Sequence, residues 1–370
     1  MNVGILGGTR FIGFYLARSL ARSGHQVTLF NRGKTIPPQP LPSRIANVRG
    51  DRNNPEDLAS FLQQSYNVVF DLSGYTADHI KPLIAENHRA KTSHYVFCST
   101  SSVYKIPPPF GYTEAADRTN TPRTYGGEKA LAEDLLLEAW HRHGWPVTIL
   151  RPQAVFGPYG ARQASYVFSR LRHAMPIVIG RDPGIRVSFL YVPDLITVFL
   201  RVANNPQCFG KLYNVAGDEA VDQITFVKLC SEVSRLAPDI RVLGEAGHSL
   251  GSLGLQWLSY DLVPDTSLIK ADLQVEFIPL RTALQETWEW LRSEPGLLEP
   301  EFFRGEQFLL ANRPVPLWAK AWWALDDLTK AWPSRRFFRA LLTRVLKRSQ
   351  TITGLWREVR RFLMRRHWFC

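Results

Sequence analysis

Tyr125 and Lys129 stand four residues apart in Tyr125-Gly126-Gly127-Glu128-Lys129, a spacing that puts a phenol and an ammonium on one face of a helix. An ammonium beside a phenol favours the phenolate and lowers its pKa. The phenol can then exchange a proton with a substrate oxygen while hydride moves elsewhere. With 12 tyrosines in 370 residues the spacing also arises by chance, so its weight comes from context. That context is Ser99-Thr100-Ser101-Ser102-Val103-Tyr104, a hydroxyl run directly after the β-rich segment Tyr95 to Cys98. A hydroxyl there can bond the same reacting oxygen, although such runs also serve turns and caps.

Hydride needs a carrier, and the chain start offers a place for one. The apolar run Val3 to Leu6 leads into Gly7-Gly8-Thr9-Arg10-Phe11-Ile12-Gly13, and a helical pattern from Phe11 to Ser23 follows until Gly24 stops it. A glycine turn between a first strand and a first helix presents free backbone N–H groups to a pyrophosphate. Residues Gly7 to Gly13 are therefore predicted cofactor contacts. Arg10 occupies the usual second glycine position, so its side chain must point away. The second strand ends Leu29-Phe30-Asn31-Arg32 without the acid that holds a ribose 2′-hydroxyl. Asn31 and Arg32, with Arg10 nearby, suit a 2′-phosphate instead and favour NADP over NAD. Asp51 and Arg52, after the third strand, are expected to flank the adenine. Leu72, Ser73 and Gly74, after the fourth, are expected to line the crevice.

Further short strands at Val27 to Phe30, Val68 to Phe70 and Val147 to Leu150 alternate with helices expected over Pro55 to Gln64, Asp78 to Ala90 and Thr124 to His143. This alternation predicts an α/β fold with a Rossmann-type, doubly wound parallel sheet. From Gly157 onward the pattern is less regular and suits a smaller α+β substrate lobe. The expected domains are 1–156, with later returning segments, then 157–295 and a helical extension over 296–370.

With 45% hydrophobic and 21% charged residues, composition excludes disorder and coiled coil. Cys98, Cys208, Cys230 and Cys370 are too scattered for a zinc site or a disulfide framework, which fits a reducing cytosol. No secretory pattern follows Met1, and there is no run of 18 apolar residues. The net charge of +12 sits mainly in residues 296–370, where 15 Lys and Arg face six Asp and Glu and six of the 11 tryptophans lie. Residues 335–348 are amphipathic at helical spacing, and 328–370 hold 12 cations against one anion, Glu358. This suits an anionic membrane surface or packing on the protein itself, ahead of RNA.

Together with Arg151-Pro152-Gln153-Ala154-Val155-Phe156-Gly157-Pro158, Phe189 to Asp194 and Tyr213 to Gly217, these motifs resemble the extended short-chain dehydrogenase/reductase superfamily, in particular its NAD-dependent epimerase/dehydratase group. The resemblance covers roughly residues 1–293. It implies a catalytic set of Thr100, Tyr125 and Lys129, with Lys129 also orienting the ribose. It places Pro152 and Val155 near the nicotinamide and suggests a homodimer through the helix carrying Tyr125, while Gln153, Arg186 and Tyr191 are candidates for substrate contact by position only. Dehydratases of the group carry Asp-Glu after the catalytic Thr, whereas this chain has Ser101-Ser102. Epimerisation or net redox of a small molecule, such as a nucleotide sugar, is the expectation that remains. The opening motifs, with Val69 to Gly74, are similar to the chloroplast stem-loop-binding branch and its cyanobacterial relatives, which is associated with RNA. That branch tends to lack the catalytic Tyr, which is present here, so RNA binding on a redox scaffold stands as the alternative.

Overall fold

The structure, a computed structural model, describes residues 1–85, 89, 91–160, 162–180, 182–242 and 260–300. Seven parallel strands form its central sheet: β1 (Asn2–Leu6), β2 (Gln26–Asn31), β3 (Ile45–Arg49), β4 (Val68–Asp71), β5 (Tyr95–Cys98), β6 (Val147–Pro152) and, much later, Lys211–Val215. The order runs from Lys211–Val215 through β6, β5, β4, β1 and β2 to β3. In register, Ile5 lies between Leu29 and Phe70. β4 and β5 are buried at every position, as strands covered on both faces must be. The order reverses beside β1, and the crevice past the strand ends at such a point is where this architecture holds ligands.

Helices α1 (Phe11–Arg22), α2 (Pro55–Phe61), α3 (Ala77–Ile80) and α4 (Tyr125–His143) flank the sheet. α1 seats Leu16, Ala17 and Leu20 against Val3, Ile5 and Leu29, while α4 seats Leu136 and Ala139 among Phe97, Val147 and Ile149. The helix expected over Asp78 to Ala90 is short: α3 ends at Ile80, and residues 86–88 and 90 lie outside the described set.

The later chain builds three two-stranded sheets from β7 (Val155–Phe156), β8 (Pro176–Ile179), β9 (Arg186–Ser188), β10 (Leu190–Tyr191), β12 (Ala220–Asp222) and β13 (Asp239–Val242), with β11 being Lys211–Val215. It also carries α5 (Arg162–Arg172), α6 (Val192–Val202), α7 (Gln223–Ser234), α8 (Ser267–Leu273) and α9 (Leu280–Ser293). Later segments return to the first domain: β11 closes one edge of the main sheet and α6 packs in the same core as α1.

The chain divides into two compact units, Met1–Val242 with Gly254–Glu301, and Leu243–Leu253 with Phe302–Cys370. The basic tail expected to meet membrane, protein or RNA lies outside the described residues. Among the described residues no helix is long and apolar enough to cross a membrane, and no cluster of His, Cys, Asp or Glu could hold a metal ion.

Candidate active site

Two cavities open past the carboxyl ends of the strands. The first, about 490 Å³, is bounded by the glycine turn. Gly7 and Gly8 take φ of +115° and +96°, which a side chain resists. A Cβ on Gly13 would come 2.6 Å from Gly8 Cα, and one on Gly8 would come 2.6 Å from Leu29 Cδ2. Arg10 caps α1 with extended backbone, is exposed, and gives no side-chain cap bond, so the first N–H groups of the helix stay free for an anion. Thr9, Phe11 and Ile12 complete this wall. The cradle fits a pyrophosphate. Gly13→Ala should force turn and helix apart and weaken cofactor binding by about tenfold or more, read by energy transfer from tryptophan to reduced nicotinamide.

At the far end of this cavity Asn31 donates its amide to Asn47 Oδ1 (2.7 Å) and accepts the Gly33 N–H (2.9 Å). Arg32 and Lys34 are exposed there; with the Asn53 N–H bond as the larger cause, they hold the Asp51 carboxyl below its usual range. Arg52 lines this cavity beside Asp51 and Asn53. Its guanidinium makes two 2.8 Å bonds to Asp71 and further bonds to Ser73 Oγ (2.9 Å) and the His79 carbonyl (3.0 Å). Asp71 also accepts from Tyr95 Oη (2.6 Å) and from the N–H groups of Ser73 and Gly74. Burial alone would raise this carboxyl, but Arg52 and these donors hold it down to about 2. Leu72 and Ser73 line the cavity. Gly74 lies behind it, where a Cβ would come 2.6 Å from Asp71 Oδ2.

Tyr125 stands between the cavities. Its ring lies 6.3 Å from that of Tyr75, which lines the first, and its chain neighbours Thr124 and Gly126 line the second together with Thr100. Two glycines let α4 begin so close. A Cβ on Gly126 would fall 1.9 Å from the Ser102 carbonyl oxygen, and one on Gly127 would fall 2.0 Å from that of Thr121. Thr124 caps the helix by accepting the Gly127 N–H at 3.1 Å.

Lys129 is buried and donates to the Cys98 carbonyl at 2.6 Å, with its Nζ 4.5 Å from the centre of the Phe97 ring and 5.4 Å from that of Tyr75. Burial lowers its pKa, against the pull of Cys98 and Asp71. The expected depression of Tyr125 by Lys129 is not what the geometry gives. Half of Tyr125 is open to solvent, yet its hydroxyl sits in a crowded angle where burial, then Cys98, push it up to about 12 against the Thr100 bond.

One turn beyond Lys129, Glu133 is fully buried and bonds Arg151 twice (3.0 and 2.6 Å), Ser99 Oγ (2.5 Å) and Arg118 (3.2 Å). Arg151 continues to Tyr104 Oη (2.8 Å), which donates to Asn214 Oδ1 (2.5 Å). This chain of bonds ties α4 to the ends of β5, β6 and β11 and fixes both ends of the segment from Ser99 to Tyr104. Sequence reasoning missed Glu133, although Tyr125, Lys129 and Glu133 stand at i, i+4 and i+8. It also missed Tyr75 and Asp71, whose roles depend on strand register.

The second cavity, about 480 Å³, is lined by Thr100, Pro152 and Gln153 among others. Gln153 is buried, with Oε1 accepting from Tyr112 Oη at 3.5 Å. Val155 packs into the core on β7 instead. Arg186 and Tyr191 depart from the expected substrate contacts. On β9 the cavity is met by Val187, and successive residues of a strand face opposite ways. Arg186 lies on Asp261 (2.8 Å) and over the Phe110 ring. Tyr191 is buried at the start of α6 with its hydroxyl on Glu286 (2.7 Å).

Sheet order, glycine cradle and the Thr100/Tyr125 pair define a Rossmann-type dinucleotide-binding protein. A family model, NAD dependent epimerase/dehydratase family, matches residues 3–216. The chain belongs to this family, part of the extended short-chain dehydrogenase/reductase superfamily. It is 32% identical over 244 residues to chloroplast stem-loop binding protein of 41 kDa b of Arabidopsis thaliana, covering 62% of each chain, so it spans less than two thirds of that relative. It is 24% identical over 289 residues to 3-beta-hydroxysteroid dehydrogenase of Mycolicibacterium neoaurum, covering 69% of this chain and 76% of that one. Among solved structures, dTDP-glucose 4,6-dehydratase of Bacillus anthracis strain Ames in complex with NAD shares the fold, with TM-score 0.66 and 17% identity over 80% of this chain and 98% of that one.

Proposed function

We propose that the protein is an NADP-preferring oxidoreductase that reduces a carbonyl of a small molecule, with Tyr125 as proton donor. The observation that carries this reading is the place of Tyr125 at the start of α4, against Tyr75 of the first cavity and between Thr124 and Gly126 of the second, which Thr100 also lines. Reduced nicotinamide supplies hydride to the carbonyl carbon. Thr100 donates a hydrogen bond to the carbonyl oxygen, Tyr125 Oη delivers the proton, and solvent replaces it. Lys129 holds the Cys98 carbonyl and would hold the ribose hydroxyls of a bound cofactor. The glycine turn would hold the pyrophosphate, and Arg32 with Lys34 would hold the 2′-phosphate.

A phenol pushed up to about 12 stays protonated at neutral pH and is set to give a proton rather than take one. The reductive rate is therefore expected to stay level from about pH 6 to about pH 9, while alcohol oxidation, which needs the phenolate, climbs over the same range. A reductive rate falling near neutrality would show Tyr125 titrating far lower and sink the assignment. Epimerisation is separated by stoichiometry: it returns hydride to the same cofactor, whereas reduction consumes one NADPH per turnover. Arg32→Ala should weaken NADPH binding by about tenfold and leave NADH unchanged; equal loss for both would remove the 2′-phosphate role.

The similarity to the stem-loop binding protein, with 12 cations against one anion in residues 328–370, supports a second reading in which this chain also binds RNA. It requires affinity for an RNA stem-loop that falls steeply with salt and is lost on removing residues 328–370.

A further inference from the structure

We infer that the second cavity takes an uncharged substrate, a ketone or secondary alcohol with oxygens along one side and an apolar skeleton along the other, rather than a sugar carried on a diphosphate. This deepens the reading just given and rests on it.

The two walls differ in chemistry. Around the start of α4 the cavity is lined by hydroxyl residues, with Thr100 and Ser102 oxygens 3.3 Å apart and those of Thr119 and Thr121 3.2 Å apart. Each keeps hydrogen-bonding capacity for a neutral oxygen. The other wall presents Ile106, Pro108, Val187, Phe189 and Leu262, with Val187 and Leu262 bridged through their backbones.

No Lys, Arg, Asp or Glu lines this cavity among the described residues. Arg186, which adjoins the cavity residue Val187 on β9, is ion-paired: its backbone N–H and Nη2 both reach Asp261 at 2.8 Å, and its guanidinium lies 4.3 Å from the centre of the Phe110 ring. The sequence between Val242 and Tyr260, which leads into two cavity residues, Tyr260 and Leu262, contains neither lysine nor arginine. A diphosphate entering such walls would give up hydration with no cation among the described lining residues to replace it, whereas a neutral ring with an apolar face loses little.

The test uses the full chain saturated with NADP⁺. Binding of three probes is followed by calorimetry at low and high salt: UDP-glucose, octyl β-glucoside and dehydroepiandrosterone. At least one uncharged probe should bind about tenfold more tightly than UDP-glucose, with an affinity indifferent to salt. Val187→Arg, which brings a cation into the cavity, should reverse the order. Tighter, salt-sensitive binding of UDP-glucose to the unmodified protein, lost in Arg186→Gln, would overturn the assignment, as would failure of every probe to bind. Saturable binding of an uncharged alcohol that is never oxidised would support the cavity's chemistry while ending the oxidoreductase reading, so the two fail separately.

Discussion

Tyr125→Phe should lower turnover by about 10²- to 10⁴-fold, the range that a positioned proton donor contributes. Affinity for NADPH should stay within about twofold, because the glycine turn and the Arg32 end of the cavity are untouched. The ring keeps its place against Tyr75, so only the hydroxyl is lost. Single-turnover kinetics with saturating NADPH separates the chemical step from binding. Thr100→Val should fall in the same direction but less steeply, since it removes a hydrogen bond and not the proton source. Full activity in Tyr125→Phe would mean that another group protonates the product, and the position of Tyr125 between the cavities would then be incidental.

Glu133→Gln should destabilise the fold by about 3–5 kcal/mol, measured by urea unfolding, because it leaves the buried guanidinium of Arg151 without its counter-charge. Both partners are almost wholly enclosed, so water cannot compensate. The second half of the expectation separates charge from packing. A Glu133→Leu/Arg151→Met double substitution removes both charges and should recover a large part of that loss, since a buried pair replaced by apolar groups of similar volume is often neutral or better. Its activity should stay depressed even so, because Ser99 loses its Glu133 bond and Tyr104 its Arg151 bond, and these two anchor either end of the segment holding Thr100. A double variant that is stable and fully active would show that the network serves the fold without positioning Thr100.

Asp71 illustrates how far local pattern reaches. Val68 to Phe70 is recognisable as a buried strand because a parallel sheet covered on both faces needs an unbroken apolar run. Nothing local says that the carboxylate at its end will meet Arg52 from the end of β3, since the two are brought together only by strand order and the loops above it. The same division runs through the site. The glycine turn and the Tyr125/Lys129 spacing are local, set by φ preferences and the helical repeat, and the chain itself determined them. Likewise Gly126 and Gly127 are local in sequence, but their necessity is tertiary, arising from carbonyls of Ser102 and Thr121 that lie where a side chain would be. Which way Arg186 and Tyr191 face is tertiary for a related reason: on a two- or three-residue strand it depends on what packs beside it. Sequence alone determined the alternation of strands and helices and the place of the glycine turn, because each follows from periodicity or backbone sterics within a few residues. Only the tertiary structure decided that Lys129 is held by the Cys98 carbonyl, that the Tyr125 phenol is raised and not lowered, and that Arg186 is paired with Asp261, because desolvation and long-range pairing depend on groups up to 75 residues apart in the chain.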